Sequence, residues 1–139
     1  MDTGRNRRRN LRARVELPVA WRDLRGGEPS VSTTVDVSAS GLAMHAEQRV
    51  PRGRELFVVV GHEELGLRFE ATAKVERSAP TRDGYSLFLS FVAISAEAAA
   101  AIGRYVVREL ARERAELLDA EGKAKRRIGA RARKAPKDA

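Results

Sequence analysis

Leu67-Arg68-Phe69-Glu70-Ala71-Thr72-Ala73-Lys74-Val75 alternates apolar and polar residues almost without interruption. A period of two turns one face of a strand to a core and the other to water. Working outward, Pro80 to Gly84 reads as a hairpin connection, and Tyr85, Leu87, Leu89 and Phe91 resume the alternation on its far side. On the near side Leu56-Phe57-Val58-Val59-Val60 is apolar at every position, which predicts a strand covered on both faces. Pro51-Arg52-Gly53 makes the turn before it. Further toward the N-terminus, Val15, Leu17, Val19 and Trp21 alternate with Glu16, Ala20 and Arg22, and Gly26-Gly27-Glu28-Pro29 supplies a turn. Val31, Thr33, Val35 and Val37 form the apolar side of a second strand, Ser38-Ala39-Ser40-Gly41 breaks it, and Leu42-Ala43-Met44 opens a third. Six short strands between turn signals predict a mainly β domain, an antiparallel barrel or sandwich, and a barrel has the advantage of leaving no exposed edge.

After Phe91 the period changes. Ser95 is placed to N-cap a helix, with Glu97 and the Ala98–Ala101 run behind it. Ile102, Val106, Leu110 and Leu117 recur at helical spacing, and Arg112 and Glu116 stand one turn apart. The pattern predicts one amphipathic helix, packed on the barrel or on a second subunit and ended by Gly122. The rest has a single large apolar anchor, Ile128, and reads as a frayed or disordered tail. The expected organisation is an Arg-rich segment over 1–14, a barrel over 15–95, a helix over 96–121 and a basic tail over 122–139.

Composition narrows the function. The 139 residues contain no cysteine, which excludes a disulfide framework, an iron–sulfur cluster, a thiol nucleophile and Cys-ligated zinc. His45 and His62 have no partner at ligand spacing, so no metal site is expected. Aromatic residues make up 5%, too few for a platform that stacks several bases. No apolar run reaches the roughly 20 residues of a membrane span. No apolar stretch of a secretory signal follows the Arg-rich start, so a cytoplasmic protein is expected. The net charge of +8 is uneven: residues 1–14 hold six Arg against one Asp, residues 122–139 hold eight Lys or Arg against one Asp, and the body between them is mildly acidic. Basic ends of this kind suit phosphate, nucleic acid or an anionic surface, or serve only as solvated termini. No nucleophile–histidine–acid arrangement and no Gly-rich phosphate loop is present, so no catalytic residue is assigned and the chain does not read as an enzyme.

Two local features remain. Arg8-Arg9-Asn10-Leu11-Arg12 leads directly into the first strand. A guanidinium is planar, permanently charged and forked, suited to a phosphate or to the O6/N7 edge of guanine. Val35-Asp36-Val37-Ser38-Ala39-Ser40-Gly41-Leu42 lies where two strands meet. Asp36 can accept from the N1–H and N2–H₂ donors of guanine, Ser38 offers a hydroxyl, and Gly41 permits a positive φ or a close approach of backbone to ligand. Taken singly, the first also fits a solvated basic terminus and the second an ordinary β-turn.

Together and in order, they resemble the PilZ domain, a bacterial receptor module for cyclic di-GMP. Arg8-x-x-x-Arg12 and Asp36-x-Ser38-x-x-Gly41 fill every position of that family's RxxxR and [D/N]xSxxG patterns. Val15-Glu16-Leu17-Pro18-Val19, Ala73-Lys74-Val75-Glu76-Arg77 and Gly84-Tyr85-Ser86-Leu87-Phe88-Leu89-Ser90-Phe91 extend the resemblance over roughly residues 5 to 115. It implies a six-stranded antiparallel barrel with an Arg-bearing N-terminal switch segment that folds over the ligand, often two intercalated copies. By position, Arg8 and Arg12 would grip guanine edges and phosphates, with Arg9 an auxiliary contact. Asp36 and Ser38 would hold a guanine from the barrel side, and Gly41 would admit the ligand close to the backbone. Leu89-Ser90-Phe91 departs from the family in lacking the glycine often found before its final aromatic, and the basic tail lies outside the pattern. The reading is therefore a cyclic di-GMP receptor with no other cofactor, acting on an unidentified downstream protein, as a monomer or homodimer. The alternative is a nucleic-acid-binding or protein-interaction module working through its basic ends.

Overall fold

The computed structural model describes residues 11–134, with side chains described as far as 129. In chain order these are β1 (Arg12–Ala13), β2 (Pro18–Asp23), β3 (Ser30–Ser38), β4 (Gly41–Ala46), β5 (Glu55–His62), a single 3₁₀ turn (Glu63–Leu65), β6 (Leu67–Thr81), β7 (Gly84–Ala93) and α1 (Ala96–Lys134). The strands run β3-β2-β5-β6-β7-β4, and a β3–β4 pairing returns to the start, so six antiparallel strands close into a barrel. The two-residue β1 pairs with the end of β3, outside the ring. Closure follows from β3 serving two neighbours: Ser30–Thr33 pair with β2, and Thr34, Asp36 and Val37 pair with β4.

The alternating strands fill the interior. Phe69, Ala71, Ala73 and Val75 of β6 are buried and their polar neighbours face outward, as the period of two predicts. Val19, Met44, Leu56, Val58, Val60 and Leu87 complete the core, and the ring of Phe69 meets that of Phe91 edge-on at 5.6 Å.

Three expectations need correction. β5 is covered on one face only: Leu56, Val58 and Val60 point inward, whereas Phe57 is exposed and Val59 half-buried. Apolar residues on an outward face are tolerated, so an unbroken apolar run does not by itself show two-sided burial. The strand expected from Val15 is β2 and begins at Pro18: the Thr34 N–H donates to the Leu17 carbonyl at 2.9 Å, but the rest of the Val15–Leu17 stretch is held by a side chain and not by a ladder. Thr34 Oγ1 accepts from the Leu17 N–H at 2.8 Å and donates to the Val15 carbonyl at 2.5 Å.

The helix is the third. Its start is as read, with the Ser95 hydroxyl accepting from the Ala98 N–H at 3.0 Å. Its first turns belong to the barrel's core, where Ile102, Tyr105 and Val106 are buried. However, α1 runs through Gly122 to Lys134, so much of the expected disordered tail is helical. Gly122 has no positive φ and therefore does not form a left-handed cap. A mid-helix glycine costs only about 1 kcal/mol against alanine, and the flanking Ala, Lys, Arg and Glu are strong helix formers. An Asp119–Lys123 pair at 3.3 Å spans the site. The chain divides into two compact units after Val107. No helix among the described residues is long and apolar enough to cross a membrane.

Candidate functional site

The Asp36–Gly41 motif is placed by a fault in the ladder. Thr34 pairs with Met44 and Asp36 with Ala43, so Val35 is a bulge residue. Thr34 and Val37 both face inward although they lie three apart, an odd spacing that an unbroken strand cannot produce. The extra residue leaves Val35 and Asp36 consecutively off the core, with Val35 exposed and the Asp36 side chain 22% exposed. The expected apolar side of β3 is accordingly wrong upstream of the bulge: Val31 is 81% exposed, and Thr34 is the buried residue.

Asp36 heads a row across four strands, Asp36 of β3 beside Ala43 of β4, Phe88 of β7 and Arg77 of β6. The Arg77 guanidinium lies over the Phe88 ring, 4.3 Å from its centroid. Ala43 and Phe88 form part of the floor of a cleft of about 260 Å³, also lined by Arg12, Asp36, Ser38, Ser40, Gly41, Glu76 and Ser90. Glu76 accepts a hydrogen bond from the Ser90 hydroxyl, and its carboxylate lies 4.0 Å from the Lys74 ammonium.

Four of the six predicted site residues, Arg12, Asp36, Ser38 and Gly41, therefore line one cleft; Arg8 and Arg9 lie outside the described residues. β1 brings Arg12 there by pairing it with Ser38. Its guanidinium is 4.0 Å from the Asp36 carboxylate, and the side chain is 63% exposed. At that separation the pair is loose and solvated, leaving the donors of Arg12 and the oxygens of Asp36 open to a further partner.

Ser38 and Gly41 are engaged differently. The buried Ser38 hydroxyl accepts from the Ser40 and Gly41 N–H groups, both at 3.2 Å, donates to the Gly41 carbonyl at 3.2 Å and lies 3.1 Å from the Ser40 hydroxyl. Those contacts fill its hydrogen-bonding capacity within the turn. Gly41 has no positive φ; a Cβ there would stand 2.1 Å from the Leu89 carbonyl oxygen, so the close approach it permits is that of β4 to β7. Sequence reasoning missed Thr34, Glu76, Phe88 and Ser90. For Thr34 the available signal was no more than a hydroxyl between Thr33 and Val35, and for the others only their place on the outward side of alternating strands.

The PilZ domain family pattern matches residues 6–108, most of the chain. The chain belongs to the PilZ domain family. Its fold is similar to that of the Bacillus subtilis inhibitor of motility MotI/DgrA, with a TM-score of 0.68 at 21% identity over 77% of this chain and 53% of that one. It is also similar to Escherichia coli YcgR in complex with c-di-GMP, with a TM-score of 0.65 at 18% identity over 82% and 50%. The isolated YcgR PilZ domain with c-di-GMP is matched over 79% of this chain and 98% of its own, with a TM-score of 0.60 at 18% identity. This PilZ chain thus spans about half the length of MotI/DgrA and of full YcgR. No curated protein matches it in sequence.

Proposed function

We propose that the cleft binds cyclic di-GMP and that this PilZ protein is a receptor for that messenger. The observation that carries the reading is the convergence of Arg12 and Asp36, one from each motif, on a single cleft with their charges only loosely paired. Cyclic di-GMP presents guanines and phosphates together. The two oxygens of Asp36 match the N1–H and N2–H₂ donors of a guanine, and the Arg12 fork matches a phosphate or the O6/N7 edge. Arg8 and Arg9 precede Arg12 in the chain and would add contacts of the same kind. Any residue fixed on binding costs about 1–2 kcal/mol, and charge-assisted hydrogen bonds of about 1.5–3 kcal/mol each can offset that. Ser38 and Gly41 serve the reading indirectly, by shaping the turn that carries Ser40 to the cleft. Binding would redirect the Arg-rich segment and alter the surface offered to a downstream protein, with no reaction catalysed. E. coli YcgR, similar in fold, is solved with c-di-GMP, which supports the ligand class.

Titration calorimetry with cyclic di-GMP, using GTP and cyclic di-AMP as controls, tests the proposal, with a labelled-ligand assay covering a near-zero enthalpy. Saturable, selective binding that is lost in Asp36→Ala is expected. Absence of binding in both assays would overturn it and favour an interaction module using the basic ends.

A further inference from the structure

The helical unit after Val107 carries a surface that the receptor reading does not use. Leu110, Arg114, Leu117, Leu118, Glu121, Lys125 and Ile128 are linked by steps of three and four, so they share one face of α1. Leu117, Leu118 and Ile128 are 63%, 50% and 66% exposed. The opposite face is satisfied within the helix. Arg112 pairs with Glu109 at 2.6 Å and with Glu116 at 3.1 Å, and Lys123 pairs with Asp119 at 3.3 Å. Arg114 and Glu121, on the apolar face, make no ion pair among the described residues. An exposed helix with a water-facing ion-paired side and an uncovered apolar side has the pattern of one strand of a helix pair.

The face is also complementary to itself when reversed. Around a centre between Leu117 and Leu118, Arg114 and Glu121 are equidistant, and so are Ala111 and Ala124. An antiparallel copy would set the leucines of both chains together at the middle and bring small alanines face to face on either side. Arg114 of each chain would lie level with Glu121 of the other. A parallel copy would instead align Arg114 with Arg114, Glu121 with Glu121, and the basic Lys123–Arg127 stretch with itself. Like charges at matched positions oppose that arrangement. We propose that residues 108–134 pair with the same segment of a second copy of this chain, antiparallel, through Leu117, Leu118 and two reciprocal Arg114–Glu121 contacts.

Sedimentation velocity on the full chain, over a concentration series reaching the ~100 μM range, provides the test. The wild type should shift from monomer to dimer. Arg114→Glu and Glu121→Arg should each weaken association about tenfold, through two like-charge contacts per dimer. The combined Arg114→Glu/Glu121→Arg variant should recover wild-type association, because the pairs are rebuilt with their signs exchanged. Positions 114 and 121 lie two turns apart within one helix, so this recovery has no intrahelical source. Far-UV circular dichroism on each variant separates loss of pairing from loss of helix. A wild type that stays monomeric throughout, or a double variant no better than the singles, would overturn the proposal.

Discussion

The two halves of the PilZ motif differ in what their side chains do. Arg12 is largely in water and loosely paired, with donors to spare, whereas Ser38 is buried with its hydroxyl engaged by the turn, and Gly41 admits nothing larger than hydrogen. Asp36 stands between them: its backbone belongs to the ladder, and a bulge sends its side chain to the cleft. A motif of apparently equivalent polar residues thus divides into groups that present chemistry and groups that build the surface presenting it.

The division would be broken most sharply at Gly41. Gly41→Ala should cost about 3 kcal/mol of stability, because its Cβ would overlap a backbone oxygen that cannot move without separating β4 from β7. A thermal melt with near-native stability would refute the architectural role. Thr34→Val comes next, at about 2 kcal/mol, since it leaves the Leu17 N–H and the Val15 carbonyl without their partner. That change should also loosen the stretch holding β1, so hydrogen exchange at Leu17 should quicken.

Arg12→Ala tests the other half. Stability should move by less than about 0.5 kcal/mol, as for an exposed surface residue. Affinity for cyclic di-GMP should fall by about 1.5 kcal/mol, roughly tenfold, on loss of a charge-assisted contact. Calorimetry and a melt on the same sample separate the two.

The smallest effect belongs to a site remote from the motif. Burial alone would raise the pKa of Asp23, but the Arg54 guanidinium at 2.6 Å and the Arg25 N–H outweigh it and hold the carboxyl below its ordinary value of 3.8. A pKa depressed on folding contributes stability above the unfolded-state value and loses it as pH falls through the folded one. Wild type should therefore lose this increment below about pH 4, and Asp23→Asn should lack it, in acid titrations of thermal stability. Identical acid profiles would show that the Arg54 contact does nothing for the fold.

Strand periodicity made most of the barrel legible, because a half-buried strand must alternate whichever strand it pairs with. The four motif residues within the described region were legible as a group, since residue type and order suffice to match a family pattern. Their division of labour was not. Leu89 lies 48 residues beyond Gly41, so nothing near Gly41 discloses the oxygen that a side chain there would strike. The phase of β3 was misread for a similar reason: a bulge is an event between two strands, and either strand read alone looks regular. The end of the helix was misjudged because glycine is a weak breaker when no left-handed turn or proline follows at once.

The sequence by itself determined a mainly β domain followed by a helix, the basic ends, the lack of cysteine chemistry and the paired motifs. These depend on local period, composition and residue order, and none requires knowing which segments meet. Tertiary structure alone decided that β3 closes the ring through both β2 and β4, that the bulge carries Asp36 off the core, and that Ser38 and Gly41 belong to the turn. Each depends on groups far apart in the chain competing for the same space or the same hydrogen bond, and that competition exists only once the strands have paired.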